Sequence, residues 1–386
     1  MAIVIDDFYR TWVANLPKIG DPRYGIPNLN LMEGSLTGKG MLAALYSQQN
    51  MSRGMQLKEV FTRQDGSKRL SIAKYKYQKR RVKADISTAL PADYCTVGTS
   101  PTYIDGEQEI SQTVSYKMTI LNDDLLRQAV ASQETFDSVM NEQFSLAFEA
   151  FTGVFEKALI TSYNTKRGIN LTNGAATPLA APVFKDAFLA INRAGTRVIA
   201  NEFRKQEYGG QPIIAVGDQA AMNWYDGVVQ PTAAMVPNQA FTGGGSDVAN
   251  DAGQIISRAM PNSMTLYDCQ QLDAVLDAAN TTNIDHLAAW KAGALQVLEA
   301  YDFDKFSKDG DIVKQMTMSF VYGGLPITCD VAMNYEYCDS GALGWTITIA
   351  KKFDLWAFPK TNAFQATDPL YTSNCTALFS LTTVAP

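Results

Sequence analysis

The longest unbroken pattern of apolar and polar positions in this chain is helical. From Ser132 to Thr165 there is no proline and a single glycine, Gly153. Phe136, Val139, Met140, Phe144, Ala147, Phe148, Phe151, Val154, Phe155, Ala158 and Leu159 recur at steps of three and four, which predicts one amphipathic helix over 132–165. Ser132 suits the N-cap, Glu134 the first turn, and Lys166-Arg167-Gly168 a basic end closed by glycine. At about 1.5 Å per residue such a helix runs roughly 50 Å. Its phenylalanines suit a mixed core better than the seam of a coiled coil.

Elsewhere the period is two. Ile110 to Ile120 alternates, with Val114, Tyr116, Met118 and Ile120 in one phase. Pro212 to Gly217 reads as a short buried strand followed by a helix over Asp218 to Tyr225. Phe184 to Arg193 and Asn250 to Arg258 read as helices, Thr265 to Tyr267 and Leu287 to Trp290 as strands. Beyond Gly293 the chain turns β-rich: Ala294–Leu298, Ile312–Tyr322, Ile327–Tyr337, Trp345–Ala350 and Asp354–Phe358 read as strands, with a loop over Asp339–Gly344. Residues 1–52 are broken by Pro17, Pro22, Pro27 and five glycines, and read as an extended arm with one helical turn near Met41 to Gln48. Together these elements predict an α+β chain.

A hairpin is predicted between the arm and these elements. Leu57 to Arg63 is extended, Gln64-Asp65-Gly66-Ser67 supplies an Asp-Gly turn, and Leu70 to Tyr77 forms the return strand. Alternation places Leu70, Ile72, Lys74 and Lys76 on one face, with Tyr75 and Tyr77 on the other. A two-stranded ribbon is marginal in water, so this one requires a surface to lie on.

Charge sharpens that requirement. Arg53 to Lys83 holds eleven Lys or Arg residues against Glu59 and Asp65, in a chain whose net charge is −6. A basic ribbon in an acidic protein predicts contact with a negative surface, and the nearest such surface is another copy of the chain. The candidate contact residues are Lys58, Arg63, Lys68, Arg69, Lys74, Lys76, Lys79, Arg80, Arg81 and Lys83. The acidic remainder disfavours nonspecific adhesion to DNA. A DNA-binding protein that uses the ribbon as a groove-reading arm is the rival reading.

Candidate chemistry is sparse. The lone histidine, His286, follows Asp285, but neighbours in a strand point to opposite faces, which disfavours a working Asp-His pair. Gly34 to Gly40 is one residue short of a phosphate-binding loop and lacks the Ser/Thr after Lys39. Gly243, Gly244 and Gly245 lack a dinucleotide-binding context and read as a flexible loop. Asp302, Asp304, Asp309 and Asp311 match no calcium spacing. Five scattered cysteines without a Cys-x-x-Cys pair suggest reduced thiols rather than a disulfide framework or a zinc site. No run reaches the roughly 18–20 apolar residues of a membrane span, and the first residues lack a secretory pattern. The expectation is a non-enzymatic protein with no catalytic, cofactor or metal residues.

The order of parts (extended arm, basic hairpin, long helix, α/β unit, closing strands) resembles the major capsid proteins of tailed bacteriophages, the Hong Kong 97-type fold. Pro212 to Gly217 with its following helix resembles that family's central strand-helix unit. Ala289-Trp290-Lys291-Ala292-Gly293-Ala294-Leu295-Gln296-Val297 resembles a late strand pair. Lys352-Phe353-Asp354-Leu355-Trp356 resembles the closing strand.

The resemblance implies an N-terminal arm (1–52), an extended loop (53–86), a peripheral domain (87–181 and 295–345) with a spine helix, and an axial domain (182–294 and 346–386). It implies self-assembly into pentamers and hexamers of an icosahedral or prolate shell around double-stranded DNA, held without sequence-specific binding. Gly243 to Gly245 would lie near a capsomer axis. Partners would be a portal and scaffold, decoration or cement proteins; the shell would be assembled in the host cytoplasm, away from any membrane. An encapsulin-type compartment shares the implied fold and is the second alternative.

Overall fold

The computed structural model describes residues 40–46, 55–65, 68–78, 103–121, 136–167, 183–184, 197, 199–201, 203–204, 212–218, 248–249, 255–260, 263–280, 285–300, 312–322, 325–337, 343–357 and 376–381. The described helices include α1 (Gly40–Tyr46), α2 (Phe136–Lys166) and α3 (Leu272–Asn280). The strands fall into three sheets.

The first sheet is antiparallel and contains β1 (Met55–Asp65), β2 (Lys68–Gln78) and β3 (Tyr103–Ile110) in that order. Asp65 pairs with Lys68, so the hairpin forms with the predicted strands. The ribbon is not a lone pair, because β3 of the same chain pairs with β2 from Ser71↔Ile110 to Gln78↔Tyr103. The end nearer the β1–β2 turn is anchored: Ser71, Ile72, Ala73 and Ile110 are buried, and the Lys352 ammonium donates to the Ser71 hydroxyl at 3.1 Å.

The second sheet centres on β14 (Leu343–Ala357), where the sequence pattern predicts two separate strands. One edge of β14 pairs with β4 (Gln112–Leu121). Its other edge pairs first with β13 (Leu325–Tyr337) and then, past Lys351, with β11 (Leu295–Ala300). β12 (Ile312–Tyr322) pairs with the far side of β13. The domain boundary expected at 345/346 therefore falls inside one continuous strand.

The third sheet is mixed, in the order β5 (Val183–Phe184), β15 (Thr376–Leu381), β10 (Asp285–Lys291), β6 (Ile213–Gly217), β9 (Met264–Asp268), β8 (Ile255–Met260), β7 (Val248–Ala249). β6–β9 and β15–β5 are its parallel pairs. Two expected helices need correction here. Phe184 lies in a strand, and Ile255 to Met260 pairs antiparallel with β9 through a tight return in which Ser263 adopts φ 56°. The β-branched pair Ile255-Ile256 favours the strand once β9 offers an edge. The remainder of 184–193, residues 250–254 and 219–225, Ser132, Glu134 and Gly168 lie outside the described residues.

α2 joins the two larger sheets. Phe144, Phe148, Phe151, Phe155, Leu159 and Tyr163 are fully buried, as the predicted stripe requires. Phe155 meets Phe353 of β14 edge-to-face at 5.0 Å. Eight residues later the Tyr163 hydroxyl donates to the carbonyls of Ala289 (3.2 Å, β10) and Ala377 (2.7 Å, β15), with its ring 5.7 Å from Trp290. Val154, placed on the stripe by spacing, is instead exposed. The buried arc is rotated away from it because α1 and α3 also cover the helix, and this takes the polar Thr152 and Glu156 inside.

Candidate functional site: a three-stranded sheet and the seat of helix α1

The basic sheet is built by register. Lys58 and Arg63 lie on β1, Lys68, Arg69, Lys74 and Lys76 on β2. β3 brings three acidic positions opposite them: Asp105 pairs with Lys76, Glu107 with Lys74, and Glu109 with Ile72. The first negative partner of the ribbon is thus its own chain. The Lys74 ammonium lies 3.9 Å from the Glu107 carboxylate, with side chains 39% and 50% exposed, a geometry that leaves both groups largely solvated. β1 pairs only with β2 among the described residues, which leaves its outer edge as a template for a further strand. Lys79, Arg80, Arg81, Lys83 and Gly243 to Gly245 lie outside the described residues.

The second assembly is the seat of α1, and sequence reasoning did not find it. Every residue of α1 is buried. Gly40 has φ +85°, and a Cβ there would stand 1.6 Å from Glu156 Oε1, so glycine is required twice over. The Met41 backbone N–H donates to Glu156 Oε1 at 2.9 Å, and the Cys269 thiol donates to the same oxygen at 3.5 Å. Burial pushes the Glu156 carboxyl up to about 7; the hydrogen bonds from Cys269 and from the Met41 and Leu42 backbones oppose this, while Asp268 adds to it. The Cys269 thiol is itself pushed well up by burial and by Glu156.

At the other end of α1, the Tyr46 hydroxyl donates to Glu299 Oε1. Lys351 reaches the same oxygen at 2.9 Å and donates to the Thr328 carbonyl at 2.5 Å. Its ammonium lies 5.9 Å over the Tyr46 ring and 5.6 Å over that of Phe155. Lys351 sits where the partner of β14 changes from β13 to β11. Burial raises the neighbouring Cys329 thiol, as expected of an inert buried cysteine.

His286 is paired, but not with Asp285. Its Nδ1 lies 3.1 Å from Asp273 Oδ1, which also accepts the His286 backbone N–H at 2.8 Å, and 3.9 Å from Asp277. Both aspartates come from α3, a helix the sequence reading missed. Its Leu272, Val275, Leu276 spacing was the available signal. The arrangement ties α3 to β10. Asp285 is pushed up by burial and by the two α3 aspartates.

These features define a mixed helix-and-sheet protein. No family model matches the chain, and no curated protein matches it. Solved structures do resemble it. The cyanophage A-1(L) capsid asymmetric unit aligns over 94% of this chain and 98% of its own, with TM-score 0.46 and 10% identity. The head structure of Helicobacter pylori bacteriophage KHP40 aligns over 94% and 95%, with TM-score 0.46 and 8% identity. The cyanophage Pam1 capsid asymmetric unit aligns over 80% and 84%, with TM-score 0.45 and 10% identity.

Proposed function

We propose that this chain is the major capsid protein of a tailed bacteriophage, with a Hong Kong 97-type fold. Copies would assemble as pentamers and hexamers into an icosahedral or prolate shell that encloses double-stranded DNA. In this reading residues 1–52 are the arm, seated through α1, and β1–β3 form the extended loop, which thereby reaches past residue 86. α2 is the spine helix of a peripheral domain containing the β14-centred sheet, and the seven-stranded sheet is the axial domain.

The observation that carries the reading is the three-stranded sheet, with its Lys and Arg residues concentrated on β2, whose outer strand β1 has no further strand partner among the described residues. Eleven residues of open strand edge call for a neighbour, and the next copy of the chain would supply it. Portal, scaffold and decoration proteins would be the further partners. DNA would be held inside without sequence reading, since weak repulsion from an acidic protein leaves it mobile.

Negative-stain microscopy of the purified full-length chain tests this. Closed shells tens of nanometres wide are expected, with nuclease-protected DNA in particles made during infection. Protein cargo in place of DNA would point to a compartment, and a monodisperse monomer at high concentration would overturn the reading.

A further inference from the structure

Glu156 is a carboxyl held almost wholly out of water beneath the seven-residue helix α1. Among the described residues nothing cationic neutralises it at close range. The groups facing it are the Met41 N–H of α1, the Cys269 thiol and, more distantly, the Asp268 carboxylate from the β9–α3 segment. Its helical neighbours one turn away, Thr152 and Ile160, are uncharged, and β6, which also packs on α1, carries no ionisable side chain. The ammonium of Lys351 is engaged at the opposite end of α1 by Glu299 and the Thr328 carbonyl.

We propose that the seating of α1 is a proton-linked latch: Glu156 takes up a proton as the helix closes over it and releases that proton when the helix leaves. The hydrogen bonds permit both states. Oε1 receives the Met41 N–H and the Cys269 thiol, so a proton on Oε2 leaves both intact. With α1 seated the carboxyl sits at about 7, against 4.5 for an exposed glutamate. The seated state therefore binds the proton more tightly, and its advantage is full below about pH 4.5 and declines as pH rises to about 7. Acid seats the arm and alkali loosens it. This is a property of one chain and holds whether or not copies assemble.

Hydrogen exchange of the full-length chain, corrected for the intrinsic pH dependence of exchange, provides the test. Protection of peptides covering Met41 to Tyr46 is expected to fall about 70-fold between about pH 5 and about pH 8, while peptides from β13 stay unchanged. In Glu156→Gln the protection should become independent of pH and stay high. In Asp268→Asn, which removes a charge that raises the carboxyl, the upper end of the decline should move below about pH 7. Flat protection in the unaltered protein overturns the latch. So does a decline that survives Glu156→Gln, or, should that variant fail to fold, one left in place by Asp268→Asn.

Discussion

Lys74 and Lys351 each face a glutamate of their own chain, in opposite surroundings. Lys74 and Glu107 stand 3.9 Å apart on the basic sheet, 39% and 50% exposed. Lys351 and Glu299 stand 2.9 Å apart beneath α1, 0% and 18% exposed. Water screens the first pair and sustains each member alone, so its charges can be handed to an outside partner at little cost. The second pair has lost its water and depends on itself. The Lys74 pair thus lies at a solvated surface, whereas the Lys351 pair is enclosed by the elements packed around α1.

The sharpest way to break this contrast is to remove Lys351. Lys351→Ala should destabilise the chain by about 3–5 kcal/mol in urea unfolding, because it empties a fully buried site and leaves the largely enclosed Glu299 without its cation. Replacing both, Lys351→Met with Glu299→Leu, should recover most of that loss. A single-variant cost under about 1 kcal/mol would mean the pair is solvated after all. Gly40→Ala comes next, at about 1–3 kcal/mol, since it combines a left-handed φ with a clash on Glu156. Gly153→Ala is its control. There the new Cβ would find its nearest atom, Gln271 Nε2, at 3.8 Å, so calorimetry should register a gain of about 0.5–1 kcal/mol. The smallest effect belongs to Lys74→Ala, under about 1 kcal/mol in the same unfolding assay. A large loss there would place the basic sheet among the fold's own supports.

The elements that could be read locally were those whose side chains sort by one period. β12 was legible over Ile312–Tyr322 with its full bounds, α1 to within two residues, and β4 through Val114 and Ile120, both buried. The misread stretch over Ile255–Arg258 and the missed α3 share a cause. Ile255 to Met260 is a short apolar run compatible with either period, and only an edge offered by β9 decides it. α3 spans nine residues, too few for a periodic signal to stand out from flanking loops. Nothing in the sequence marked β2 as the partner of β3.

Periodicity, turn chemistry and the run of Lys and Arg were enough to set the α+β class, the long apolar stripe and the charged ribbon, because each arises from residues within a few positions of one another. The tertiary structure alone decided where charge is buried. Met41 meets Glu156 across 115 positions, and Tyr46 meets Glu299 across 253. A carboxyl's character depends on whether water reaches it, and that is set by which distant segments close around it rather than by its neighbours in the chain.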